Sequence, residues 1–335
     1  MFKDGNPGSP VIICNKVKEA KEAIARGVSA KVLCIENVPS LYTVLESTIR
    51  PYASFAETRF GDFVDFLPLI EDLAKTHTIF LYLDPYTVEG LEWTALERVF
   101  RHLSQSRSSI EVLVNFSAVS FARRGRSALA IAQDTSETDI EPDNMTDGTD
   151  LGIDRLNLIV GGDWWQSVLM QHLRFPEEVA AIANGFCEKL RLHFREVCQH
   201  NVKEHWNHKV PKYTLVFGSR SPDALLLMND AAARSREKFA ESEIPSDGLL
   251  FETRPRELVP DFERLTSLVM DFANTRLTRG ALILKIIRSA FGDYRETEIR
   301  RTVTHLIAKG LITSATGKSR INNDVEVWRP RQNST

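Results

Sequence analysis

The chain has 335 residues, 43% of them hydrophobic and 26% charged, which is enough apolar content for a substantial core and more length than one average domain needs. Its formal net charge of −3 excludes a globally basic nucleic-acid binder, so any such contact must come from a local patch. No apolar run approaches the roughly 18–20 residues that cross a bilayer, and the N-terminus has no signal-peptide pattern, so a soluble, cytoplasmic protein with no membrane contact is expected.

Gly5-Asn6-Pro7-Gly8 reads as a turn. Ser9 and Pro10 read as a helix start, with the hydroxyl capping free amides and the proline at the first helical position; this helix should run to about Arg26. Lys31-Val32-Leu33-Cys34-Ile35-Glu36 is an apolar strand ending in an acid. A carboxylate at that place commonly accepts hydrogen bonds from the ribose hydroxyls of a nucleoside cofactor, and the plain alternative for Glu36 is a solvated strand end. A helix follows from about Ser40, and Ser54-Phe55-Ala56-Glu57-Thr58 reads as the next strand.

Gly61-Asp62-Phe63 comes next. The glycine allows close approach, the acid can accept from an adenine amine and the ring can cover its face. The alternative is that Asp62 caps the amphipathic segment 63–75. Ile79-Phe80-Leu81-Tyr82-Leu83 is then a buried strand that breaks into Asp84-Pro85-Tyr86. In an open α/β sheet the ligand crevice lies at the carboxyl ends of the strands. Asp84 and the Pro85 carbonyl would there accept the two N–H bonds of an exocyclic amine while Tyr86 stacks on the base; an ordinary turn is the alternative. The Asp84 strand should lie beside the Glu36 strand or beside a gap left by a missing one, with both acids at one sheet edge.

Residues 90–103 read as a helix and residues 110–116 as another buried strand, so the alternation predicts a mostly parallel sheet covered by helices on both faces. Residues 133–150, rich in Asp, Glu, Thr and Ser, read as a mobile acidic loop. A helical pattern resumes at Asp163-Trp164-Trp165 and continues through Pro176 to about Cys198. His193, Cys198, His200, His205 and His208 match none of the usual zinc spacings, so this stretch is expected to be a solvated linker without metal. Residues 213–217 form a strand, 222–241 a helix and 249–251 a last strand. The four cysteines, Cys14, Cys34, Cys187 and Cys198, form no Cys-x-x-Cys pair and are expected to be reduced.

From about Asp261 the pattern is that of a separate module: helix 281–291, helix 296–309, then a Gly317-tipped hairpin ending in Val325-Glu326-Val327-Trp328. This is the layout of a winged helix-turn-helix. Arg295, Arg300, Arg301, His305 and Lys309 lie on or beside its recognition helix, with Lys318 and Arg320 on the wing, a basic surface suited to phosphates and base edges. The alternative is a module used for protein contacts. The domain boundary is placed between residues 255 and 256.

In order, Gly5-x-Pro7-Gly8-Ser9-Pro10, Ile35-Glu36, Leu83-Asp84-Pro85-Tyr86, Val114-Asn115-Phe116-Ser117, Gly162-Asp163-Trp164-Trp165 and Tyr213-Thr214-Leu215-Val216-Phe217 give the chain a resemblance to the three-Cys-motif partner proteins over nearly its whole length. The resemblance implies a Rossmann-like, class I methyltransferase-like domain followed by a winged helix. It also implies bound S-adenosylmethionine, a nucleic-acid-related substrate (DNA or RNA) and a radical-SAM-like partner carrying a three-cysteine motif. Gly8, Ser9, Glu36, Asp62 and Phe63 would hold the cofactor, and Asp84, Pro85 and Tyr86 the target base. Two departures qualify it. Family members begin with a strand and a glycine loop before the Gly-x-Pro-Gly-Ser-Pro segment, and here Met1 falls after that loop, so the first strand is expected to be missing and cofactor binding to be weak or absent. Asp84-Pro85-Tyr86 has one residue between acid and aromatic, where amino-methyltransferases show two. The expected function is therefore a methyltransferase-like protein acting on nucleic acid, with a non-catalytic adaptor that docks the partner as the alternative.

Overall fold

The computed structural model describes residues 7–23, 29–85, 88–104, 109–130, 151–242 and 260–330. The chain divides into two compact units, residues 1–75 and 76–335. Tyr86, the acidic stretch 133–150, the strand expected at 249–251 and the expected boundary at 255–256 lie outside the described residues.

In the first unit, helix α1 (Ser9–Ala23) precedes strand β1 (Val32–Glu36), helix α2 (Pro39–Ile49) and strand β2 (Ala56–Phe60). A 3-10 turn (Phe63–Phe66) and helix α3 (Leu67–Leu73) follow. Helix α1 begins one residue earlier than its proline suggests: the Gly8 carbonyl accepts the Val11 and Ile12 amides at 3.1 and 3.2 Å. Gly8 thus takes the cap position and Ser9 is already helical. β1 and β2 pair in parallel from Val32↔Ala56 to Glu36↔Phe60, two residues later on the second strand than the sequence suggests. Cys14, Val32, Ile49 and Ala56 form a small core, with Tyr52 and Phe55 packed against it.

In the second unit, strand β3 (Ile79–Leu83), helix α4 (Trp93–Ser104), strand β4 (Ile110–Phe116) and helix α5 (Ala118–Ala128) come first. Helices α6 (Ile153–Val160), α7 (Trp164–Leu169) and α8 (Phe175–Arg191) follow, then strands β5 (Glu196–Val202) and β6 (Tyr213–Ser219) and the long helix α9 (Pro222–Ser242). The sheet order is β3-β4-β6-β5. β3 and β4 are parallel, whereas β6 runs antiparallel to both of its neighbours. Three of the four strands therefore share a direction and one is reversed. β1 and β3 belong to separate sheets.

β5 replaces the helix end and linker expected between His193 and His208. Helix α8 stops at Arg191, and Cys198 sits inside the strand. Edge strands tolerate polar residues, and β5 carries Glu196, Gln199, His200 and Asn201, which hide its periodicity. Along β4 the burial alternates, with Ile110, Val112, Val114 and Phe116 buried. Phe116 stacks on Phe186 of α8 with ring centroids 4.4 Å apart. Beside this core, Arg126 of α5 grips the fully buried Glu178 of α8 through Nε and Nη2 at 2.8 and 2.9 Å. Such a two-point pair satisfies both charges, and removal of either partner would strand the other in an apolar setting.

The C-terminal part of this unit contains helix α10 (Phe262–Phe272), strand β7 (Leu277–Thr278), helices α11 (Arg279–Ser289) and α12 (Glu296–Ala308), and strands β8 (Thr313–Ser314) and β9 (Glu326–Trp328). The three strands form an antiparallel sheet in the order β7-β9-β8. Leu265, Ile283, Ile286 and Val303 from this part share one apolar cluster with Phe217 of β6 and Leu225 of α9. Among the described residues no helix is long and apolar enough to cross a membrane.

Candidate functional site

Because β3 and β4 are parallel, their carboxyl ends meet, and the register Leu83↔Val114 makes Asp84 and Asn115 the next pair along. Asn115 Nδ2 donates to Asp84 Oδ1 at 2.6 Å. An ionised carboxylate only accepts, so the amide must turn its nitrogen toward Asp84 and its carbonyl away. That carbonyl, Asn115 Oδ1, is buried and has no hydrogen-bond partner among the described residues. Leaving a buried acceptor unpaired costs about 1–3 kcal/mol, and an unpaired group of this kind calls for a specific explanation.

Asn115 faces Leu215 across the β4–β6 ladder. Successive residues alternate between faces, so Tyr213 shares the face of Asn115, two positions from Leu215. Burial, and then the nearby Asp84 carboxylate, raise the pKa of the Tyr213 phenol, which keeps it a neutral hydroxyl. Asp84 itself is exposed and Pro85 half-buried. Gly90 lies close to Pro85: an added Cβ there would come 2.8 Å from the proline ring. The result is an edge with an exposed carboxylate, an unpaired carbonyl and a phenol.

The other acidic strand ends lie together in the first unit. Gly61 N–H donates to the Glu36 carbonyl at 3.1 Å, and Asn37 Nδ2 reaches Asp62 Oδ2 at 3.4 Å. Glu36 Oε1 accepts the Val38 amide at 2.9 Å. Asp62 Oδ1 accepts the Val64 amide at 3.1 Å and so caps the 3-10 turn, as the capping alternative expected. Phe63 is half-buried in that turn. Gly8 and Ser9 form the start of α1 in the same unit.

The basic residues of the C-terminal part divide into two groups. Arg300 donates through Nε and Nη2 to Glu296 Oε1 at 2.9 and 2.5 Å. Arg295 pairs with Glu237 of α9, and its amide donates to Glu298 Oε2 at 2.7 Å. Arg301, His305 and Lys309 are exposed, as are Lys318 and Arg320 in the β8–β9 connection. Ordinary helical spacing accounts for this division: steps of four put 301, 305 and 309 on one face, and a step of four also puts Arg300 over Glu296.

Of the histidines, His193 packs against Trp93 and Phe100, and burial lowers its pKa. His200 is likewise lowered by burial. Among the described residues no group of three or more His, Cys, Asp or Glu side chains could hold a metal ion. Sequence reasoning passed over Asn115 and Tyr213 as site residues, although an asparagine near the end of the apolar run Ile110–Phe116 is a visible signal. Comparison with family models, with curated proteins and with solved structures finds no match, so the geometry itself must carry the functional reading.

Proposed function

We propose that the chain is a Rossmann-like methyltransferase with a C-terminal winged helix, which uses S-adenosylmethionine to methylate an amino group of nucleic acid. The observation that carries this reading is the Asp84–Asn115 pair at the carboxyl ends of two parallel strands, with Asn115 Oδ1 unpaired. The β3-β4-β6-β5 order with one reversed strand and the three helices with a three-stranded sheet support the two fold assignments. The radical-SAM-like partner implied by the resemblance belongs to the same reading.

The free oxygen of Asp84 would accept a hydrogen of the amino group, with Asn115 Nδ2 holding that carboxylate in place. The Tyr213 hydroxyl is then a donor for a ring acceptor of the base. When bound, S-adenosylmethionine supplies a methyl group activated by positive sulfur. The protein's part is alignment of the amine, and Asp84 receives the proton that the nitrogen sheds as it is methylated. A base in a duplex must first leave its stack, at a cost of a few kcal/mol.

Calorimetry with S-adenosylmethionine, together with transfer of labelled methyl to single-stranded DNA and RNA, tests this. Weak binding, with transfer that Asp84→Ala abolishes, is expected. Absence of cofactor binding would end the enzyme reading. The adaptor is the second reading, and one observation favours it: both Asp62 oxygens already bond within the chain, to Val64 and Asn37.

A further inference from the structure

The amino end of α12 is held by α9. Asp230 Oδ1 accepts the Glu296 amide at 2.8 Å, and Glu237 pairs with Arg295. In the turn just before, the fully buried Asn229 donates to the Tyr294 carbonyl and accepts from the Gly292 amide, each at 2.9 Å. In helix-turn-helix docking this end of the second helix is the part that reaches base edges. Here it meets one helix that places two carboxylates beside it. Those carboxylates repel phosphate as well as filling the space.

The basic groups left exposed lie elsewhere. Arg301, His305 and Lys309 follow one another at four-residue steps along the open face of α12. Lys318 and Arg320 extend from the β8–β9 connection, where Gly317 turns the chain at φ +67. None of these five makes an ion pair among the described residues. Arg300, one position away, is committed to Glu296.

We propose that the C-terminal module binds the phosphate backbone of nucleic acid through Arg301, His305, Lys309, Lys318 and Arg320, without reading bases from the amino end of α12. The inference rests on the nucleic-acid reading given above and narrows it to sequence-independent contact. Charged side chains on a helix flank and a wing contact phosphates of any sequence, whereas discrimination needs side chains at base edges.

The test is fluorescence anisotropy of the full chain with three labelled duplexes of unrelated sequence, across a range of salt. Affinities within about threefold of one another are expected. The double variant Arg301→Ala/Lys309→Ala should bind at least about tenfold more weakly, with the logarithmic salt slope smaller by about 2. Arg300→Ala should bind as the parent does. Circular dichroism melting of each variant separates lost binding from lost folding, and if the double variant melts early, Lys318→Ala/Arg320→Ala takes its place. A preference above about a hundredfold for one duplex, or equal losses for Arg300→Ala and Arg301→Ala, would overturn the inference while nucleic-acid binding stands. Absence of binding to any duplex, and to single strands of the same sequences, would overturn both and assign this surface to an acidic protein.

Discussion

Glu196 of β5 and Arg288 of α11 lie 92 residues apart and form a two-point ion pair, with Nε–Oε2 at 2.8 Å and Nη2–Oε1 at 2.6 Å. The carboxylate is buried and the guanidinium is about two-fifths exposed. The two partners are therefore unequal. Among the described residues, Arg288→Ala would leave a buried charge with only the more distant Arg195 and should destabilise the second unit by about 3 kcal/mol. Glu196→Ala leaves an arginine that can hydrate, so its cost should be smaller. Urea unfolding midpoints for the two variants check the order, and equal or reversed shifts would refute it.

Asn115→Leu removes the donor to Asp84 together with the unpaired carbonyl. Losing an unsatisfied acceptor offsets losing the hydrogen bond, so stability should change by less than about 1 kcal/mol. Methyl transfer, in contrast, should fall by about a hundredfold or more. A melting temperature that drops steeply while transfer persists would make Asn115 a structural residue.

Burial pushes the Cys187 thiol up to about 12, and the Cys34 and Cys198 thiols up to about 11. Cys14 is raised by the same cause. Only thiolates react with alkylating agents. At pH 8 iodoacetamide should therefore leave the native chain almost unlabelled over an hour and label all four cysteines in guanidinium. Mass spectrometry reads the count directly, and rapid native labelling of Cys187 would contradict its position in α8.

His193 and His200 have folded pKa values lowered by burial, the first also influenced by Glu97, Arg101 and Lys189 and the second by Asp293 and Arg236. A lowered histidine binds fewer protons folded than unfolded, so its contribution is present above the unfolded value of about 6.5 and is lost as pH falls below it. Stability should fall from pH 7 to pH 5 by at most about 1.4 kcal/mol per pH unit for each histidine, read as a falling melting temperature. The variant His193→Phe should flatten this fall, since the ring is held between Trp93 and Phe100. An unchanged pH profile in that variant would remove His193 from the account.

Strands β1, β3, β4 and β6 were legible because each is a short apolar run bounded by polar turns. β5 was not, because the burial of Glu196 depends on an arginine that arrives 92 residues later, and no local pattern carries that information. Asp84 could be read as an acid at a strand end, but its pairing with Asn115 depends on the register of β3 against β4. The contrast between Arg300 and Arg301 was available in the sequence: Glu296 stands four residues before Arg300, the spacing of a helical ion pair, and Thr297 stands four before Arg301. The hold of α9 on α12 through Asn229, Asp230 and Glu237 was beyond local reasoning, since three polar residues on a helix look the same whether they face water or another helix.

The reversed strand β6 sets a timetable for the growing chain. It sits between β4 and β5, so Phe116 finds its ladder partner Thr214 only after about a hundred more residues have been made. At a synthesis rate of about 5–20 residues per second, β4 emerges from the ribosome and waits on the order of 5–20 s with one edge unpaired. During that interval Val112, Val114 and Phe116 are offered to any chaperone or neighbouring nascent chain. Yield on expression should therefore respond to translation speed through residues 117–213 more than through any other stretch of equal length.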